Sequence, residues 1–507
     1  MWLWYSLVLL AVAAALFLLY LYSVNQHWRK LGIAHPRPQL FFGNTRRLFL
    51  LKECLPEALD RVYHQLEGLP FGGFYLMTRP CLLLRDVNLI NRIFVGDFGH
   101  FHDRMNFPQY KKDPMMQHLC TMGGSMWKEM RLRMSQVFSV GHTRRVFFMV
   151  QECCSHLQKS VEAAIRRQPG CEVELKGLVT SFTTDVIGVY AFGIECGAID
   201  DANSQFRRIS SMVFDTSATN AFRQILFLIL PALAALPGMS FFSTAVTEFF
   251  DRISAETVQY RVKNKVLRDD LVHLMMTLKQ KGLLVTEEGE SIEISDKFMA
   301  AQLHIVFALG FEMTSTAMSF CLHELAMNPG VQTKARVEVD AVLSRHGGEI
   351  TYEALQEMRY LDMVVAETLR LYPPLGFLMR QCTVPYQVPG SDLRLRVGDV
   401  VYVPLLSLHR DPRLFPEPLR FNPERFSGGH ARPAYLPFGA GPRTCLGQTF
   451  SLVEVKAGLA ALLSRFEFWR CARSAGSPIP LEPRKIILAA ANGLYVRVTP
   501  RAWLPVN

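Results

Sequence analysis

The stretch that decides the fold is Phe438-Gly439-Ala440-Gly441-Pro442-Arg443-Thr444-Cys445-Leu446-Gly447. One cysteine stands at the end of a loop rich in Gly and Pro, and apolar residues at helical spacing follow from Leu446 to Phe466. A sulfur just ahead of a helix feels the positive end of its dipole, which favours thiolate over thiol. Gly441 and Gly447 are expected to let backbone approach a flat partner or to adopt φ > 0. Exposed N–H groups near the sulfur are expected to hydrogen-bond to it and tune its donor strength. These residues alone also accommodate an ordinary loop with a buried cysteine.

Upstream, Glu367-Thr368-Leu369-Arg370 places Glu367 and Arg370 three apart, on one helix face. The helix that carries them, Val364 to Tyr372, ends at Pro373-Pro374. Ser295 to Asn328 contains no Pro and is followed by Pro329, so it reads as one long helix capped by Ser295 and stopped by the proline. At 1.5 Å per residue it spans ~50 Å, enough to cross a large domain. Ser125 to Gln280 is mostly helical by period. Phe71 to Val87 and Gln381 to Val403 have β and turn character, Pro404 to Gly441 reads as irregular, and Arg470 to Asn507 as strands and turns. The fold class is therefore mainly α with a small β-rich part. Ile225 to Leu236 is apolar, interrupted by Pro231 and closed by Pro237 and Gly238. It is too short to span a bilayer, and reads either as core or as a loop that dips into a membrane surface.

The chain has 507 residues, of which 50% are hydrophobic and 20% charged, which indicates a large packed core and argues against disorder. Its formal charge of +10, from 55 Lys and Arg against 45 Asp and Glu, suits a body facing anionic lipid or an acidic protein partner. No helix-turn-helix or zinc-finger pattern accompanies that charge, so nucleic acid is not an expected partner. The 11 cysteines are scattered, odd in number and without CxxC pairing, which reads as reduced thiols in a cytosol-facing protein.

From Trp2 to Val24 nearly every residue is apolar, and no charged side chain precedes Arg29. About twenty such residues cross a bilayer as a helix. Trp2, Trp4, Tyr20, Tyr22 and Trp28 lie near the ends, where amphipathic rings favour the interface, and Arg29, Lys30 and Arg37 place the body on the cytoplasmic side. A cleaved signal peptide would have a charged start and an apolar run of about 7–15 residues. The organisation expected is an N-terminal membrane anchor helix over 1–28, a linker over 29–44 and one folded body over 45–507.

The Cys445 loop resembles the haem-binding loop of the cytochrome P450 superfamily, matching at Phe438, Gly441, Arg443, Cys445 and Gly447. Four further motifs stand in the family's order. Trp127 and Arg131 resemble its tryptophan–arginine pair for a haem propionate. Phe307 to Thr316 resembles the oxygen-side stretch of its distal helix. Glu367 to Arg370 resembles its Glu-x-x-Arg helix, and Phe421-Asn422-Pro423-Glu424-Arg425-Phe426 resembles the segment that supplies a second arginine, Arg425, to that helix. The resemblance covers nearly the whole chain. The wording of Ser181 to Gly193 and of Gly310-Phe311-Glu312 is most similar to insect microsomal members of the detoxifying branch.

The resemblance implies a cytochrome P450 fold holding haem b, with Cys445 as the iron ligand. It implies cofactor contacts from Trp127, Arg131, Arg380, Phe438, Gly441 and Arg443, and a structural clamp of Glu367 with Arg370 and Arg425. A thiolate ligand pushes electron density onto haem iron and favours O–O cleavage. The activity implied is a monooxygenase that puts one oxygen atom of O2 into a lipophilic small molecule. Electrons would come from NADPH through a diflavin reductase docking on a positive face that Arg131, Arg443 and Lys456 help form. The endoplasmic reticulum membrane is the implied location. The pocket is expected along Phe101 to Cys120, the helix face of His304, Phe307 and Ala308, Leu375 to Met379, and Asn492 to Leu494. His304 shares the face of Ala308 one turn away, and its ordinary reading is a satisfied or solvated histidine.

One position departs from the family. Gly310-Phe311-Glu312-Met313-Thr314 puts Met313 where the family carries a proton-relay threonine. Methionine has no donor and is a poor acceptor. Thr314 is no simple substitute, because one step turns a side chain about 100° around the helix. Glu312 is then the catalytic candidate for assisting proton delivery. Two other readings follow from Met313: a haem-thiolate peroxide isomerase or dehydratase, and a haem protein that binds ligands without turnover.

Overall fold

The structure is a computed structural model, and it describes residues 1–104, 113–167, 172–215, 217–229, 240–429 and 432–501. Most of the apolar stretch Ile225 to Leu236, part of the loop Phe101 to Cys120, and Cys171 lie outside the described residues.

Trp2–Asn25 form helix α1, which stands away from the body and buries only Leu21 and Asn25. The chain is pinned directly after it. Trp28 is 3% exposed; its backbone N–H donates to the Tyr75 hydroxyl and its indole N–H donates to the Phe74 carbonyl, both at 3.1 Å. Trp28 is therefore part of the folded body and not an interfacial ring, because its donors are satisfied by strand β1, Phe71–Leu76. Gly73 makes room for it: a Cβ there would lie 2.4 Å from the indole. Strand β2, Arg79–Leu84, pairs antiparallel with β1.

The helical layer comprises α2 (Gly124–Ser135), α3 (Phe147–Arg167), strand β3 (Glu172–Glu174), α4 (Leu175–Ile187), α5 (Thr244–Asn264) and α6 (Asp296–Met327). Ser295 caps α6 by accepting from the Phe298 N–H. The proline that ends α6 also begins α7, Pro329–Arg345, where its fixed φ suits the first helical position. Among the described residues two helices are long and apolar enough to cross a membrane, but the most apolar window of α6 is 72% buried against 6% for α1. The spine α6 is apolar on every side because α4, α5, α7 and later α9 surround it.

Helix α8 (Arg359–Leu371) leads to strands β4 (Leu378–Gln381) and β5 (Val400–Val403). These join the first hairpin in a four-stranded sheet of order β1-β2-β5-β4, with β5 parallel to β2 and antiparallel to β4. Helix α9 (Gln448–Arg465) follows the cysteine loop. Strands β6 (Phe466–Trp469) and β7 (Tyr495–Pro500) then build a second sheet of order β6-β7-β3. Among the described residues β7 is the main strand beyond Arg470, so that terminus has more turn than was expected.

The described residues between 404 and 441 are largely irregular and need an external anchor. Glu367 and Arg370, both fully buried, supply it. Arg370 donates to both Glu367 oxygens at 2.7 and 2.8 Å and to the His409 carbonyl at 2.8 Å. Arg425 Nε and the Asn422 N–H donate to Glu367 Oε1 at 3.1 and 2.9 Å. A carboxylate that accepts from two guanidinium groups and a backbone N–H is satisfied enough to tolerate burial. The clamp ties the irregular segment to α8 and so delivers the cysteine loop to its place.

Candidate functional site

The loop before α9 turns on backbone hydrogen bonds: the Cys445 N–H donates to the Phe438 carbonyl and the Thr444 N–H to the Gly441 carbonyl, each at 2.9 Å. Gly441 has φ +69°, and a Cβ there would fall 1.9 Å from the Phe94 carbonyl oxygen, so only glycine fits. Gly447 does not behave as expected. Its φ is −88° and nothing comes within 3.9 Å of its Cβ position. Its role is as N-cap of α9, and its N–H donates toward the Cys445 sulfur.

Cys445 is exposed by surface area, yet burial pushes its thiol pKa up. The two agree if its accessible face looks into an enclosed interior space rather than bulk solvent. The Gly447 N–H, Arg104 and Arg131 pull the thiol pKa the other way, toward thiolate. Phe438 is half-buried against the main core.

Beside the sulfur lies an unbalanced cluster of cations. Trp127 is nearly buried, with the Arg443 guanidinium 4.2 Å and that of Arg131 5.9 Å from its ring centroid. Arg380, on β4, lies 4.4 Å over the Phe94 ring and donates to the Met379 carbonyl, but its Nε has no partner. Arg443 donates to the Met122 carbonyl at 2.5 Å and lies 3.5 Å from Asp103, while its Nε and Nη1 have none. Burial, and then Arg104, hold Arg443 down to about 9 and push Arg380 well below the usual arginine range. Arg380 feels the positive charges of Arg104, Arg131 and Arg443, and Arg443 those of Arg104 and Arg131, while Asp103 stands beside Arg443. Buried cations with orphaned donors call for an anionic partner.

Sequence reasoning placed Trp127, Arg131, Arg380 and Arg443 here and missed Arg104 and Asp103. The run Phe101-His102-Asp103-Arg104 carries no helical or strand period, so only packing brings it to Arg443. The structure corrects the expected positive face. Arg443 is buried, and Lys456 is buried with its ammonium 2.7 Å from Asp362. Neither reaches a docking surface, and Arg131 turns onto Trp127.

The proton-delivery candidate lies on α6. Glu312 is 3% exposed, and its carboxylate lies 3.3 Å from Lys176 of α4 and 3.4 Å from Lys485. Lys176 also donates to the Glu312 carbonyl and to the Ser315 and Thr316 hydroxyls. Its ammonium is enclosed although 22% of the side chain remains accessible, and burial holds it down to about 8 against the pull of Glu312. Neither lysine was legible from the sequence, since both come from distant segments. Met313 is half-buried, and Thr314 turns toward Glu454 of α9, so it does not stand in for a threonine at 313. Ala308 and Phe307 are buried on the same helix, and Phe377 is buried ahead of β4. Leu494 is buried, but Asn492 is exposed.

Comparison with known proteins matches residues 35–496 to the family described as Cytochrome P450. Cytochrome P450 6k1 of Blattella germanica is 35% identical over 96% of this chain and 96% of its own length. Probable cytochrome P450 6a13 of Drosophila melanogaster is 38% identical over 93% and 94%. Cytochrome P450 9e2 of Blattella germanica is 34% identical over 99% and 97%.

Proposed function

This chain belongs to the cytochrome P450 family, and from that premise we propose a membrane-anchored monooxygenase that oxidises lipophilic small molecules with electrons from NADPH through a diflavin reductase. That it is a haem b monooxygenase, working with a redox partner on a lipophilic substrate, follows from the family. The reductase, the residue roles and the endoplasmic reticulum location, with the body on the cytoplasmic face, are our reading.

The observation that carries the residue roles is the uncompensated cluster around Cys445. The donor set fits haem: orphaned guanidinium donors of Arg380 and Arg443, beside Arg131 and the indole of Trp127, suit two propionates. Cys445 would hold the iron, Phe438 and Gly441 would shape the loop against the ring, and Gly447 would donate to the sulfur. Bound haem supplies the centre at which dioxygen is activated, and a thiolate ligand favours O–O cleavage. Glu312 holds the proton-delivery position, paired with Lys176 and Lys485, while Met313 withdraws one hydroxyl from that side.

The test is NADPH consumption by the purified protein with a diflavin reductase, scoring oxidised product and hydrogen peroxide over a panel of lipophilic compounds. Substrate-dependent oxidised product is expected. NADPH consumption that yields only peroxide with every compound would contradict the substrate reading. Met313 makes the isomerase or dehydratase reading the second, and turnover of organic peroxides without NADPH would favour it.

A further inference from the structure

Arg104, Arg131, Arg380 and Arg443 reach the cluster beside Cys445 from four separate segments of the chain. Among the described residues, the one carboxylate that makes an ion pair with any of them is Asp103, whose Oδ1 lies 3.5 Å from Arg443. The same oxygen accepts from the Gly124 N–H at 2.9 Å and stands 2.8 Å from His102 Nδ1. Gly124 is the first residue of α2, where the helix dipole favours a negative charge. The Asp103 carbonyl accepts from the Gln381 N–H of β4 at 2.8 Å. One residue therefore touches the three elements that carry the cluster: α2 with Trp127 and Arg131, the cysteine loop with Arg443, and β4 with Arg380. Arg104 is its chain neighbour.

The close approach depends on glycine: a Cβ on Gly123 would fall 2.6 Å from Asp103 Oδ2. Burial works to raise the Asp103 carboxyl, but the hydrogen bonds of His102 and the Gly124 N–H and the charge of Arg443 together hold it below the usual carboxylate value, so it is ionised. An anion at this place has opposite effects on the empty and the loaded site. In the empty site it is the negative charge set among guanidinium groups that repel one another, and losing it leaves them uncompensated. Once propionates occupy the orphaned donors of Arg443, compensation comes from them, and Asp103 becomes a like charge on the same guanidinium group. A group that stabilises the empty state more than the loaded one weakens binding by that difference.

We infer that Asp103 is a positioning residue for the cofactor: an internal counter-ion that holds α2, the cysteine loop and β4 together around the empty site and that opposes the propionates in the loaded one. The inference rests on the haem reading of the arginine cluster above and assigns a role to the carboxylate that reading leaves without one.

The test uses the full chain as wild type, Asp103→Asn and Asp103→Glu. Haem loss from the loaded protein is timed by transfer to excess apomyoglobin, and the haem-free chain is melted. Asn keeps the shape and an oxygen for the Gly124 N–H but removes the charge. Asp103→Asn is expected to lose haem about fivefold more slowly than wild type, while its haem-free form melts lower. Asp103→Glu keeps the charge and should lose haem no more slowly than wild type. If the haem-free Asp103→Asn chain does not fold, the haem-loss rate of its loaded form still decides the matter. Haem loss from Asp103→Asn at the wild-type rate or faster makes Asp103 only a brace for α2; that overturns the counter-ion and leaves the haem reading intact. A wild-type chain that takes up no haem overturns both.

Discussion

At the scale of single residues, the proton handling proposed for this site turns on Met313 and Lys176. With Met313 beside Glu312, one hydroxyl is missing from the proton side, and Thr314 is turned away toward Glu454. Met313→Thr is expected to lower hydrogen peroxide formed per NADPH by about twofold or more at unchanged substrate affinity, as measured by product and peroxide yields. An unchanged ratio would show that water and Glu312 already supply the path. Lys176 gives a pH signature. Burial holds it down to about 8, whereas an unfolded lysine titrates near ~10.4. The unfolded chain therefore binds more protons between those values, and stability rises with pH across that window. Below about 8 the cost of burying the charge is fully present. Denaturant midpoints compared between wild type and Lys176→Met should show a steeper rise in wild type; parallel profiles would remove Lys176 as a cause. These residues also mark a limit of legibility. Cys445 and Arg443 were readable because a dense local motif carries them. Lys176, Lys485 and Arg104 were not, because each is ordinary in its own segment and becomes special only by packing.

At the scale of elements, the clamp on α8 determines whether the cysteine loop can form. Glu367 accepts from Arg370, Arg425 and the Asn422 N–H in a fully buried place. Glu367→Gln keeps the shape but leaves two guanidinium groups facing no charge. It is expected to cost about 3–5 kcal/mol and to yield protein that does not retain haem, read as haem content after purification. Near-normal haem loading and melting would show that the irregular segment is held by other contacts. The long helix α6 was read closely from its Ser295 cap and its Pro329 stop, because caps and prolines act locally. The short strands were less legible. β3 and β7 meet across more than 300 residues of chain, and their pairing is a tertiary event with no local period to announce it.

At the scale of the whole molecule, the boundary between anchor and body falls earlier than the apolar pattern suggested. Trp28 is bonded to β1, and the Tyr75 hydroxyl donates to the Asn25 carbonyl at 3.0 Å. Deleting residues 2–24 is expected to release the protein from membranes with little change in melting temperature. Deleting 2–30 should lower it by several degrees, since a buried tryptophan and its hydrogen bonds are lost. Equal melting of the two truncations would contradict the assignment of Trp28 to the core. Net charge was also a poor guide to a docking face: of the three cations nominated for it, Arg443 and Lys456 are buried and Arg131 packs on Trp127. Charge counted along a sequence does not tell which cations the fold turns inward.

The central claim is that Cys445, delivered by the clamp and set among uncompensated arginines, holds haem iron as a thiolate. The most direct measurement is the carbon monoxide difference spectrum of the reduced, haem-loaded chain, taken for wild type and for Cys445→Ala. The account predicts a thiolate-type spectrum in wild type, and its loss together with all oxidation activity in the variant. A variant that retained that spectrum would contradict it.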